Sequence, residues 1–173
     1  MKLYLPQQFD GNESFCLILL GITAVITFML PPRFPMIVAT AFFSIGLGIA
    51  MYVDFHLGIP PIDLYRINDR DQYELFDLIL FITYSAYSYI YVYFLDKWKL
   101  RGMSISLYVL AWTFAGIVLE AFAVHFHVYT YKGWSLAYSF LFYIAALMVT
   151  LYIYFLMKRT YQQTKRDSSK DWT

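Results

Sequence analysis

Residues 102–119 read GMSISLYVLAWTFAGIVL, a run without an acid, a base or a histidine. At roughly 1.5 Å per residue, about 18 helical residues reach about 27 Å, close to the thickness of a bilayer's hydrocarbon core. Four other stretches share this property, over 14–32, 35–53, 78–95 and 133–157. Together they predict an all-α, polytopic integral membrane protein. It is expected to form one domain, a bundle of five transmembrane helices over about 14–30, 35–53, 76–95, 103–125 and 135–157, with a mobile basic tail over 158–173. Composition points the same way: of 173 residues 60% are hydrophobic, 21% aromatic and only 14% charged, whereas soluble domains average about 25% charged. A soluble enzyme, a nucleic-acid binder and a disordered chain are therefore poor readings.

The charges suggest an orientation. With five spans, Lys2, Arg66, Arg70 and Lys132 fall on the amino-terminal side, and Arg33, Lys97, Lys99, Arg101, Lys158, Arg159, Lys165, Arg166 and Lys170 fall on the other. The positive-inside rule then places the N-terminus outside and the C-terminus in the cytoplasm. Asp10, Glu13, Asp54, Asp63, Asp69, Asp71, Glu74 and Asp77 all fall on the outer side, where they would attract cations. Met29-Leu30-Pro31-Pro32 offers no small-residue cleavage site, so the first segment is expected to be a retained helix. Cys16 is the single cysteine and is expected simply to pack.

Within the bundle, Asn12 or Ser14 suits the first N-cap, and the prolines of 31–35 force a tight turn that would make helices 1 and 2 antiparallel neighbours. Thr40, Ser44 and Gly48, four residues apart, offer a small face for close helix approach. Gly58-Ile59-Pro60-Pro61 ends helix 2, and the charge run from Asp63 to Glu74 reads as a wet outer cap.

Glu120 is the most informative residue, because a carboxylate inside an apolar helix costs about 2.5 to 3.5 kcal/mol on insertion scales. Ser106, Thr113, Glu120 and His127 recur every seven residues and so share one stripe of helix 4. Asp77, Tyr84 and Tyr91 make a similar line on helix 3, with Ser88 beside it, while Ser139, Tyr143, Thr150 and Tyr154 lie on roughly one face of helix 5. Glu120, Asp77, Tyr84, Tyr91 and Thr113 are the candidates for a ligand or proton site, centred on Glu120 and Asp77 in the outer half of the bundle; equally, Glu120 reads as a structural group that is protonated or accepts hydrogen bonds from tyrosines and serines and holds the helices together. A divalent metal held by His125, His127, Asp54 or His56 is the competing expectation, although two histidines flanking Phe126 point about 200° apart on a helix. No other cofactor is evident. The chain lacks His-Glu-x-x-His, Ser-His-Asp and paired-aspartate patterns, so catalysis is the less favoured reading.

Glu120, the aromatic segment Tyr129-Thr130-Tyr131-Lys132-Gly133-Trp134, and a last helix closing on Lys158-Arg159 resemble an uncharacterised group of small polytopic membrane proteins from endospore-forming Firmicutes. The resemblance runs over 113–159 and implies a helical fold in the plasma membrane. The functional expectation is an accessory or solute-interacting membrane component with an outward-facing polar cluster. A subunit of a small cation, proton or solute transporter or channel, and a membrane-embedded metal-dependent hydrolase, are the alternatives. The bilayer is the expected partner, together with a second copy or another membrane protein, and nucleic acid is not.

Overall fold

The computed structural model describes residues 4–6, 8–69 and 74–170, the last nine of these as backbone alone. Lys2, Arg70 and Asp71, counted in the charge asymmetry above, lie outside the described residues, as do 171–173 of the tail. Five helices form, α1 (Gly11–Met29), α2 (Met36–Leu57), α3 (Leu75–Lys97), α4 (Met103–His125) and α5 (Leu136–Lys170). Among the described residues all five are long and apolar enough to cross a membrane.

The helix ends show where local chemistry outweighs hydropathy. Helix α1 starts earlier than expected, because Asp10 rather than Asn12 or Ser14 is the N-cap. Its carboxylate accepts from the Asn12 N–H at 3.1 Å, and Glu13 accepts from the Asp10 N–H at 2.9 Å, a reciprocal capping box. Helix α2 runs a turn beyond residue 53 and so carries Asp54 and His56. Backbone helix also continues over 158–170, where hydropathy alone suggested a polar tail.

Helix α3 is the axis of the molecule. It contains far more buried residues than any other span, and it packs chiefly on α2 and α1. Helix α4 lies chiefly on α5, and it meets α3 through Tyr108 and Trp112, whose rings pack on Tyr87 and Tyr91. The expectation that α1 and α2 are neighbours needs correction: α1 seats against α3 instead. Close approach of α2 to α3 occurs at Gly46, where an added Cβ would lie 2.7 Å from both Ser88 Cβ and the Tyr84 carbonyl oxygen. Thr40, Ser44 and Gly48 are exposed on the opposite side of α2. Outward-facing apolar side chains, among them Ile18, Ile22, Phe28, Met36, Ile37, Phe114 and Leu141, clothe the bundle, as expected of helices solvated by lipid.

Two short strands join the helix groups at one end. β1 (Tyr65–Ile67), in the α2–α3 connection, pairs antiparallel with β2 (Tyr129–Tyr131), in the α4–α5 connection, with Tyr65 opposite Tyr131. The Leu64 carbonyl accepts from the N–H groups of Lys132, Gly133 and Trp134 at 2.9 to 3.0 Å, and Asp63 pairs with Lys132 at 2.8 Å. The expected wet cap is thus partly an ordered lid, in which Tyr65 and Asn68 are buried. At the other end Asp96 of α3 gathers Arg33 from the α1–α2 turn at 2.7 Å, and Lys158 and Tyr154 of α5 at 2.8 and 2.5 Å.

Candidate functional site

Between the α1–α3–α2 group and the α4–α5 pair lies a cavity of about 190 Å³, to which all five helices and both strands contribute. Its width follows from side-chain size. On α4 Gly116 leaves room for the Tyr143 ring, whose carbons would stand 3.2 Å from a Cβ placed there. On α2 Gly46, Ile49 and Ala50 line it, and on α3 Thr83, Tyr84, Tyr87, Ser88 and Tyr91 do so, at the three- and four-residue spacing of one helix face. The ribbon's Tyr65, Tyr129 and Tyr131 close one end beside Trp134.

Glu120 forms part of the wall and is 7% exposed. Its Oε1 accepts from the Tyr131 hydroxyl and from Ser139 Oγ at 2.6 Å, while Oε2 accepts from the Tyr143 hydroxyl at 2.6 Å. Trp134 Nε1 donates in turn to Ser139 Oγ at 2.7 Å. Three donors from β2 and α5 therefore converge on one carboxylate of α4, which ties that pair of helices to the lid. Of the stripe expected on α5, Ser139 and Tyr143 serve Glu120, Thr150 lines the cavity deeper in, and Tyr154 turns to Asp96 at the far end.

Asp54, one of the proposed metal ligands, is equally buried but differently served. Its Oδ1 accepts from the Tyr65 hydroxyl at 2.6 Å. Its Oδ2 is buried and has no hydrogen-bond partner among the described residues. The same holds for three hydroxyls along the α3 wall, those of Tyr87, Ser88 and Tyr91. Polar atoms removed from water are nearly always paired, and these four exceptions belong to residues that line one cavity. Burial raises the phenols of Tyr65, Tyr129 and Tyr131 above their usual range, with the neighbouring Asp54 carboxylate adding to the effect at Tyr65.

The remaining candidates divide between the cavity wall and positions away from it. Asp77 caps α3, accepting from the Glu74 N–H and from Asn68 Nδ2 at 2.7 Å each, and it is not part of the cavity wall. Thr113 is buried and bonds the Val109 carbonyl of its own helix. Tyr84 and Tyr91 both line the cavity; the Tyr84 hydroxyl meets that of Tyr129, and the Tyr91 ring stacks on Tyr108 at 5.2 Å. His56, His125 and His127 are exposed. Among the described residues no three His, Cys, Asp or Glu side chains are grouped as metal ligands. Cys16 is buried and free, as expected.

Comparison with family models, with curated proteins and with solved structures finds no significant match. Any functional reading therefore rests on this geometry.

The site owes most to residues that hydropathy does not single out. The sequence presents Asp54 as a metal candidate and Tyr129, Tyr131 and Trp134 as an aromatic segment, and it marks none of them, nor Tyr65 or Tyr87, as part of a cavity wall. The signal available in sequence was their aromatic density on either side of two short connections, which says nothing of the pairing that brings them together.

Proposed function

We propose that this chain is an integral membrane protein whose central cavity binds a small solute. The four partnerless polar atoms on the cavity wall, Asp54 Oδ2 and the Tyr87, Ser88 and Tyr91 hydroxyls, carry this reading. Leaving one such group unpaired costs about 1 to 3 kcal/mol, a penalty that a bound solute or its waters would remove. In this reading Glu120 is the brace that holds the wall, since its own oxygens are occupied by Tyr131, Ser139 and Tyr143. Asp54 is the group free to act on a ligand.

The ribbon end lies outside the cell and the Asp96 end in the cytoplasm. The basic residues collected at the latter, including Arg33, Lys97, Lys99, Arg101 and Lys158, support that orientation. The protein resides in the plasma membrane.

Two experiments test this. In a Cys16→Ser background, a membrane-impermeant maleimide applied to intact cells should label Lys132→Cys and spare Lys99→Cys; the reverse pattern would invert the topology. Native mass spectrometry of protein purified in mild detergent should show an adduct of small mass that the cavity-filling variant Ala50→Trp loses. Identical spectra from a folded Ala50→Trp and the wild type would sink the solute reading.

A further inference from the structure

The cavity that the preceding reading assigns to a solute has a chemistry that narrows the solute's class. Two acids, Asp54 and Glu120, line it, and no Lys, Arg or His does so among the described residues. An anion would meet uncompensated negative charge. The two acids are not equivalent: Glu120 already receives three hydroxyl hydrogens, whereas Asp54 Oδ2 receives none. Asp54 is 7% exposed, so water does little to supply the missing donor. A buried, unpaired carboxylate oxygen on a residue of the cavity wall asks for a donor that also brings positive charge, because charge-assisted hydrogen bonds are about twice as strong as neutral ones.

The rest of the wall decides between an inorganic and an organic cation. Calcium needs 6 to 8 oxygen ligands and magnesium a near-ideal octahedron, and the region around Asp54 offers aromatic rings instead. Tyr65, which holds the other oxygen of Asp54, packs edge-on against Tyr129 and Trp134 with ring centroids 6.0 and 5.8 Å apart. All three rings belong to the cavity wall. Aromatic faces attract ammonium groups through the ring quadrupole and accept the apolar remainder of an organic ion as readily. As for size, an engineered dry cavity of about 150 Å³ takes benzene, so about 190 Å³ suits one ring with a short side arm.

We infer that the cavity binds a small organic ammonium ion, of about one ring in size, with Asp54 as its counter-ion and the tyrosine and tryptophan rings beside Asp54 as its apolar and cation–π walls. This inference rests on the solute-binding reading and adds the ligand's charge.

The test pairs probes that differ only in charge. Benzylammonium and 2-phenylethylammonium are compared with benzyl alcohol and 2-phenylethanol, and with benzoate, by calorimetric titration and by the intrinsic tryptophan fluorescence, to which Trp112 and Trp134 of the cavity wall contribute, in detergent-purified full-length protein. The wild type should favour each ammonium over its alcohol by at least about tenfold, the factor one charge-assisted hydrogen bond supplies, and should ignore benzoate. Asp54→Asn should bring that preference to about twofold or less while alcohol binding persists, and Asp54→Glu should restore part of it. Should Asp54→Asn fail to fold, the wild-type preference and the Asp54→Glu titration decide alone. Equal binding of ammonium and alcohol by the wild type would overturn the cationic assignment and leave the solute reading standing. A preference that survives Asp54→Asn would overturn the role of Asp54. Binding of no probe by the wild type would overturn both readings.

Discussion

Glu120 and Asp54 show how the same side-chain chemistry takes opposite roles at equal burial. Glu120 accepts from the hydroxyls of Tyr131, Ser139 and Tyr143, so loss of these bonds is expected to lower stability. Tyr143→Phe removes one of those bonds and is expected to cost about 0.6 kcal/mol, the average for an interhelical hydrogen bond in a membrane bundle. Glu120→Ala strands three hydroxyls at once and is expected to cost several times as much. Denaturant titration in mixed micelles measures both, and equal effects would contradict the brace. The phenols supply a pH dependence of definite sign. Tyr65 and Tyr129 have folded-state values raised above the usual phenol value of about 10, so the folded state holds its protons more tightly than the unfolded chain. Their stabilising effect is complete below about pH 10 and is lost as pH climbs above it. Thermal melts from pH 8 to 11.5 should fall steeply above pH 10, with a shallower fall for Tyr65→Phe.

Gly46 and Gly48 illustrate what is decided at the level of the helix. Both sit in the apolar run of α2, and spacing favoured Gly48 as the contact. The structure selects Gly46, because Phe42, Gly46, Ile49 and Asp54 fall on the side of α2 that is turned inward. Gly46→Ala is expected to push α2 off α3 and to lower stability by about 1 to 3 kcal/mol, the range for overpacking. Gly48→Ala meets nothing within 4 Å and is expected to be neutral or to stabilise by up to about 1 kcal/mol through helix propensity. A thermal-shift comparison of the two variants checks the register of α2 against α3. The five spans themselves were legible in sequence, since uncharged length is a direct reading of solvent. The last turn of α2 was not, because the charge of Asp54 ends the apolar run, and only the Tyr65 hydroxyl, eleven residues on, makes its burial affordable. Nor were β1 and β2: three residues are too few for an alternating pattern, and their pairing exists only because two connections meet across the lid. That gap in the reading is also why Glu120 was legible as a special residue but its Tyr131 partner was not.

The whole molecule consists of a broad helix group built on α3 and a narrower pair, α4 and α5, fastened to it at both ends. The fastening at one end is the strand ribbon with Asp63 and Lys132; at the other it is Asp96 with Arg33, Tyr154 and Lys158. Between them the α3 and α4 backbones stay apart, bridged by the rings of Tyr87 and Tyr91 against Tyr108 and Trp112, and the cavity lies beside these rings. Such an arrangement has a mechanical signature. When a single molecule is drawn out of a bilayer by its C-terminus, load reaches α5 first, and the α4–α5 seam, where the backbones pack more closely than between α3 and α4, passes it on to α4. The pair is therefore expected to leave as one rip, followed by the other three helices. Asp96→Ala should lower the force of that first rip without changing its length, and extraction of α5 alone would contradict the seam. A protein fastened at both ends, with Tyr87 and Tyr91 packed on Tyr108 and Trp112 between them, has little freedom to part its helix groups, so a guest is expected to be admitted by the turning of side chains and not by the parting of helices.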